Sequence, residues 1–309
     1  MCSHTIVRSI ERAPRSNPRT HRRIGVAALT AAFALVLTTA PVGATTGVAT
    51  AANVAARVPR TPRTPAVHST PRQGSPLPSS ASALVDHGGK IMATVHPYAI
   101  WWGSAASFPA DAVSGTTAFF NGLDGSRYLR LATEYLRGAN PRVTSVTNLV
   151  DGSAPPRTVT AATLGAEVAK VTHQVPDPLG MYFIFTANFP SSASFCAWHA
   201  AATISSERIA VAYMPNVAAA TGCDPGDVVH ANAQSAGTRS LVNVTAHELM
   251  EAITDADPGT RTTAWIDAAG AEIGDKCAWQ FSAAVTLSNG TRWQLQKEWS
   301  NASGRCEQG

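Results

Sequence analysis

From Lys90 to the C-terminus, apolar residues recur in short blocks divided by turn-forming residues, and the spacing inside each block predicts its element. Ile91–Trp102 reads as a first strand ending in an aromatic pair. Ala110–Phe120 and Ser126–Arg137 have helical spacing and are joined by Gly122-Leu123-Asp124-Gly125. Thr160–Thr172 predicts an amphipathic helix with Leu164, Val168 and Val171 on one side. Met181–Thr186 and Ile209–Met214 are continuous apolar runs of the kind found in inner strands. Leu241–Ile253 predicts a helix that stops before Asp257-Pro258. Val285–Trp293 predicts a hairpin, because Asn289-Gly290 suits a tight turn with both central residues at positive φ. No internal repeat is visible.

Upstream of these blocks the pattern fails. Residues 45–85 are rich in Ala, Thr, Pro and Ser, with almost no large apolar side chain. Such a stretch cannot bury enough surface to offset the entropy of ordering, so 45–89 is expected to be a disordered linker. Residues 1–44 have another character. Six arginines and one glutamate precede the uncharged run Ile24–Ala40, and Val42-Gly43-Ala44 offers small residues for cleavage. That layout predicts a secretory signal peptide. The apolar run is short for a membrane span, so no transmembrane segment is expected after cleavage. Arg22-Arg23 weakly resembles a twin-arginine export signal.

Export changes the charge. The formal +4 of the whole chain includes +5 from residues 1–44, and from Lys90 onward 14 basic residues face 18 acidic ones. The folded part is mildly acidic, with no basic stripe to suggest a nucleic-acid partner. Four cysteines lie beyond the leader: Cys196, Cys223, Cys277 and Cys306. In an oxidising compartment an even number argues for two disulfides with three possible connectivities. Sequence proximity favours Cys196–Cys223 and Cys277–Cys306. About 220 residues are enough for one domain with a substantial core, expected as a monomer.

The chemistry centres on His247-Glu248-Leu249-Met250-Glu251. Four residues apart on a helix, His247 and Glu251 share a face, and Glu248 leaves from the adjoining position. Zinc hydrolases present two ligands and a general base in this way, although the second ligand position here holds a carboxylate instead of a second histidine. No Gly-x-Ser-x-Gly elbow and no phosphate loop is present.

Several further stretches stand in order along residues 90–306: Ile100-Trp101-Trp102-Gly103, Phe119-Phe120-Asn121-Gly122-Leu123, Phe195-Cys196-Ala197-Trp198-His199, Ala246-His247-Glu248-Leu249, and Glu272-Ile273-Gly274-Asp275-Lys276-Cys277. With them the chain resembles the EXORDIUM-like, or phosphate-induced, secreted proteins, as a bacterial member. One departure is the pair Ala256-Asp257, which intervenes before Pro258. The resemblance implies an extracellular or cell-envelope protein and specifies no reaction. The His-Glu-x-x-Glu core is similar to that of zinc-dependent peptidases. That implies a zincin-like single domain of α/β (α+β) class over 90–309, with a mixed sheet and a site-bearing helix.

A catalytic zinc needs three protein ligands and an open position. Beyond His247 and Glu251 there are three candidates. Asp255 stands eight residues after His247, about 12 Å along a continuous helix, too far to share an ion with it. Asp257 lacks the glycine turn that such spacing uses. Glu272, 25 residues after His247, is close to the interval seen in peptidases of the Glu-zinc type and is favoured. Asp275 would orient His247. Glu248 would be the general base, and His199 a transition-state donor or a packed histidine. So carboxylate-rich a set suits Zn2+ but admits a harder divalent cation. The substrate class would be an extracellular peptide. The other expectation, of a different class, is a non-catalytic module that binds a cell-wall polymer, with a structural metal site or none.

Overall fold

The computed structural model describes residues 68–75, 82–226, 234–259 and 261–309. The chain divides into two units, Met1–Pro59 and Arg60–Gly309, and all described residues belong to the second. The signal peptide and most of the linker expected upstream lie outside the described residues.

In chain order the strands are β1 (His68–Pro71), β2 (Val85–Asp86), β3 (Thr94–Trp102), β4 (Arg142–Val143), β5 (Thr147–Asp151), β6 (Gly180–Thr186), β7 (Phe195–Ile204), β8 (Glu207–Pro215), β9 (Trp265–Ile266), β10 (Val285–Thr286), β11 (Arg292–Trp293), β12 (Glu298–Ser300) and β13 (Arg305–Glu307). The α-helices are α1 (Ala112–Leu123), α2 (Ala161–Val171) and α3 (Ala236–Thr254). A seven-stranded mixed sheet runs β1-β7-β8-β6-β3-β4, with β5 also pairing β3. Strands β3, β6 and β8 pair in parallel, as do β4 and β5 with β3. Strand β7 runs antiparallel to β8, and β1 antiparallel to β7 at the edge. The molecule is therefore a mixed α/β fold.

Both faces of the sheet are covered, which explains why its strands read as unbroken apolar runs. Side chains alternate with period two. On β6, Met181, Phe183 and Phe185 enter the larger core with α1 and α3, while Tyr182 and Ile184 enter the smaller core under α2. On β8, Ala210, Ala212 and Met214 alternate with Ile209, Val211 and Tyr213 in the same way. On β7, Ala197 faces the α3 side, and Trp198, Ala200 and Ala202 face α2. The sequence pattern passed over β7, because its Ala197–Ala202 stretch is poor in β-branched residues. Burial between neighbours overrides that weak preference.

Three other expectations change. Residues 126–137 do not form an α-helix; Leu129–Tyr135 is a 3₁₀ segment. Its three-residue period lines up the buried Leu129, Ala132 and Tyr135. The hairpin β10–β11 forms in the register Val285↔Trp293, but of its turn residues only Gly290 has positive φ, at +80°. Gly290 N–H bonds to Leu287 O and Leu287 N–H to Thr291 O, which makes a longer loop than the two-residue turn. Most important for the site, two described stretches of the linker expected over 45–89 join the fold: His68–Pro71 is a sheet strand, and Val85–Asp86 pairs with β9.

Helix α2 starts as expected at Thr160, whose side chain accepts from Thr163 N–H while Thr163 reaches back. Its Glu167 is 3% exposed and 3.9 Å from Lys170 Nζ, which also contacts Asp151. Burial, together with the hydrogen bond to Asp151 and that residue's charge, lifts the Glu167 carboxyl from 4.5 to about 7, against the pull of Lys170. The folded state thus holds this proton more tightly than the unfolded chain. Stability should fall as pH rises from 4.5 to about 7 and then level off. Glu167→Gln should raise the stability measured by urea unfolding at pH 8, by on the order of 1 kcal/mol after allowance for screening by solvent, and leave it unchanged at pH 4. An equal gain at both pH values would refute this account of Glu167.

Candidate metal centre

Helix α3 carries the centre. Ser235 caps its start by accepting from Thr238 N–H, and Asp111 accepts from Ser235 Oγ and Thr238 Oγ1, each at 2.6 Å. Seventeen of its 19 residues are buried, so it is a core helix and not an amphipathic surface one. Glu248 and Glu251 are consequently 0% exposed. A pair of solvated helix carboxylates, the simplest alternative to a site, is excluded. A carboxylate survives such burial only with partners.

Six side chains meet there. His247 Nε2 lies 2.9 Å from Glu251 Oε1 and 3.8 Å from Asp275 Oδ1. His199, from β7, faces α3 across the sheet. Its Nδ1 is 3.2 Å from Glu248 Oε2 and 3.5 Å from Glu251 Oε2, and its Nε2 is 3.1 Å from the Asp255 carbonyl and 3.7 Å from Glu272 Oε1. Two overlapping trios, His199–Glu251–Glu272 and His247–Glu248–Glu251, each place their ligand atoms within 4.8 Å of one another. Glu251 belongs to both. Donors bound to one tetrahedral ion at about 2.1 Å sit roughly 3.4 Å apart, so these separations suit a shared cation.

The residues expected from sequence divide between these trios. Glu272 does approach Glu251, yet it joins His199 instead of His247. Asp275 stands beyond hydrogen-bond reach of His247; its N–H donates to Glu251 Oε1 at 3.1 Å, so it positions Glu251. Asp255 contributes its carbonyl, while its Oδ2 accepts from Thr263. Asp257 is held by Arg208 through two contacts of 2.5 Å, away from the centre. His199, which could have been a packed histidine, is fully buried among three glutamates.

Charge and burial compete at these groups. Burial pulls His199 and His247 down, but the surrounding carboxylates outweigh it: Glu272 leads for His199, which ends well above its usual value, and Glu251 leads for His247, which reaches about 10. Burial pushes Glu251 up, and the two imidazoles overcome it and hold its carboxyl well below normal. Four carboxyl groups, those of Glu248, Glu251, Glu272 and Asp275, surround the two imidazoles. His247 Nδ1 has no hydrogen-bond partner among the described residues, and His247 Nε2 approaches Glu251 without hydrogen-bond geometry. A neutral imidazole offers one lone pair, so one of these two nitrogens at most could face a cation. Buried His/Glu clusters of this composition can bind a metal ion.

Four supporting residues were not assigned a role by sequence. Thr70 of β1 donates to Glu248 Oε1 from its N–H at 3.1 Å and its hydroxyl at 2.6 Å. Tyr128 OH donates to Glu298 Oε1 at 2.6 Å. Burial holds the Glu298 carboxyl up at about 8 despite the opposing charge of His247 and that hydrogen bond. Gly274 is needed for space: a Cβ there would lie 2.8 Å from His247 Nδ1 and 3.1 Å from Glu251 Oε1. The only sequence signal for Glu298 was a lone acid in an otherwise buried strand, Glu298-Trp299-Ser300.

The loop holding Glu272 and Asp275 is tied from behind. Trp299 N–H bonds to Ile273 O at 3.0 Å, and Cys277 is bonded to Cys306. The second disulfide joins Cys196 to Cys223, so both bridges follow the expected pairing. Cys277–Cys306 spans 29 residues, and closing such a loop stabilises by about 3.5 kcal/mol. Cys306→Ser is therefore expected to lower the melting temperature by roughly 7–14 °C. A shift under about 2 °C in calorimetry would show that the bridge does not brace the loop.

Two surface cavities, of 480 Å³ near Thr94 and Arg142 and of 570 Å³ near Val85 and Ile266, are lined by none of the cluster residues. No described helix is long and apolar enough to cross a membrane. The chain matches no family model, no curated protein and no solved structure.

Proposed function

We propose that the cluster around Glu251 is the divalent-metal centre of a secreted, zincin-like hydrolase that acts on peptides, consistent with the EXORDIUM-like resemblance. The observation that carries this reading is the pair of fully buried His/Glu trios sharing Glu251. His199, Glu251 and Glu272 would hold the ion and leave a fourth position open, with His247 set against Glu251. Zinc is the first choice, and the carboxylate share keeps manganese or calcium in contention. When bound, the cation would polarise a peptide carbonyl and acidify water.

The chain's own groups supply the rest. Glu248, beside but not needed within the His199 trio, takes the proton of the attacking water and passes it to the leaving amine. The Asp255 carbonyl accepts from His199 Nε2, which leaves Nδ1 directed at Glu248 and Glu251. The two disulfides, and the export leader expected from sequence, support an extracellular or cell-envelope location.

Complete burial favours a second reading, a structural metal site in a binding module. Metal analysis of the protein purified without chelator tests what the two share. About one divalent ion per chain is expected, with a lower melting temperature after chelation. No bound metal and no response to chelator would remove both.

A further inference from the structure

A catalytic centre that is 0% exposed at His199, His247, Glu248, Glu251 and Glu272 cannot receive a peptide without movement. One segment stands over its base. Strand β1 is a four-residue strand on the outer edge of the sheet, and it lies antiparallel on β7, with Ser69 opposite Trp198 and Thr70 opposite Ala197. The same Thr70 supplies two of the hydrogen bonds on Glu248 Oε1. An extended chain hydrogen-bonded to an open sheet edge, with one residue reaching the chemistry, is how peptides are bound by strand addition.

We infer that the β7 edge is the binding site for an extended peptide and that β1 is its built-in occupant, a releasable strap that holds the centre closed. This rests on the hydrolase reading above and adds its substrate conformation and its regulation.

The strap's other anchors agree. Trp279 Nε1–H donates to Pro71 O at 2.8 Å, Gln73 N–H donates to Gly222 O at 2.8 Å, and Arg72 lies over the Phe189 ring at 5.1 Å. The first two are backbone contacts that peptides of many sequences could repeat. Arg72 and Thr70 are the exceptions, since one contact needs a cation and the other spends a hydroxyl on Glu248. Strand β1 brings no large aliphatic or aromatic side chain to the sheet, being His68-Ser69-Thr70-Pro71. Beyond the anchors the chain turns at exposed Gln73 and Gly74, where an added Cβ on Gly74 would meet nothing within 4 Å. An exposed turn of small and polar residues is a typical place for proteolytic nicking. Once cut there, the strap is no longer held by chain connectivity and leaves on dilution.

The test is a full-length chain with a site-specific protease sequence inserted between Gly74 and Ser75. It is nicked, diluted and compared with the intact chain, both loaded with Co2+. Exchange of Co2+ into chelator, and hydrolysis of a quenched fluorescent peptide library, should each rise at least tenfold on nicking. A synthetic peptide of residues 66–75 added back should reverse both. The same peptide with Thr70→Val should bind at least tenfold more weakly. The intact chain carrying Thr70→Val should also exchange Co2+ faster.

Three results would overturn the inference while leaving the metal centre standing. They are unchanged exchange after the strap has left, re-binding that ignores Thr70→Val, and loss of the folded far-ultraviolet and melting signals on nicking, which would make β1 a structural strand. Failure of either chain to take up Co2+ would instead be failure of the hydrolase reading itself.

Discussion

Replacing Glu251 by alanine is expected to abolish stoichiometric metal binding and to destabilise the domain by about 3–5 kcal/mol. The size follows from what is left behind. Glu251 lies within 3.5 Å of both imidazoles, and it also accepts from Asp275 N–H. Its removal strands His199 and His247 in a fully buried space and cuts the loop of Glu272 from the helix. For a domain of this size the loss corresponds to roughly 6–20 °C in melting temperature. Glu251→Gln separates the possible causes. It preserves shape and removes only charge. If the acids merely repelled one another, this variant would melt higher than the parent. If Glu251 binds a cation, it melts lower, and the difference shrinks once chelator has stripped both proteins. Calorimetry with and without chelator therefore checks the assignment, and a stabilised Glu251→Gln would end it.

The contrast between Glu251 and its neighbours also shows what could be read from sequence. The i, i+4 spacing placed His247 and Glu251 together, and the apolar runs at 181–186 and 209–214 marked the strands behind them. The partners from distant segments were harder. His199 sits on β7, whose alanines hide its strand character; once the strand is granted, period two puts His199 on the face opposite Trp198, toward α3. Glu272 could be favoured by its interval from His247, but its nearer imidazole, His199, depends on how β7 packs against α3. Thr70 was least legible. Its surroundings are Pro-, Ser- and Thr-rich, and composition argues for disorder because such residues bury little apolar surface. What orders β1 is instead polar: edge pairing to β7 and two hydrogen bonds to a buried carboxylate. Neither contribution leaves a mark in local hydropathy.

Glu248→Gln is the substitution that separates a catalyst from a structural site. The amide is isosteric with the carboxylate. Its oxygen can still accept from Thr70 N–H and Oγ1, as Glu248 Oε1 does. Fold and metal content should therefore survive, with the melting temperature within about 2 °C of the parent. Only the capacity to take a proton is lost. Removing a general base costs on the order of 10²–10⁴ in rate, so hydrolysis by the strap-released chain should fall at least a hundredfold. The drop should lie in kcat and not in KM, because Glu248 acts on water and need not hold the peptide. Retained metal with unchanged turnover would deny Glu248 the role of base. Retained metal with no turnover in the parent either would favour a structural centre, in which the acids of α3 serve the fold and the β7 edge serves binding alone.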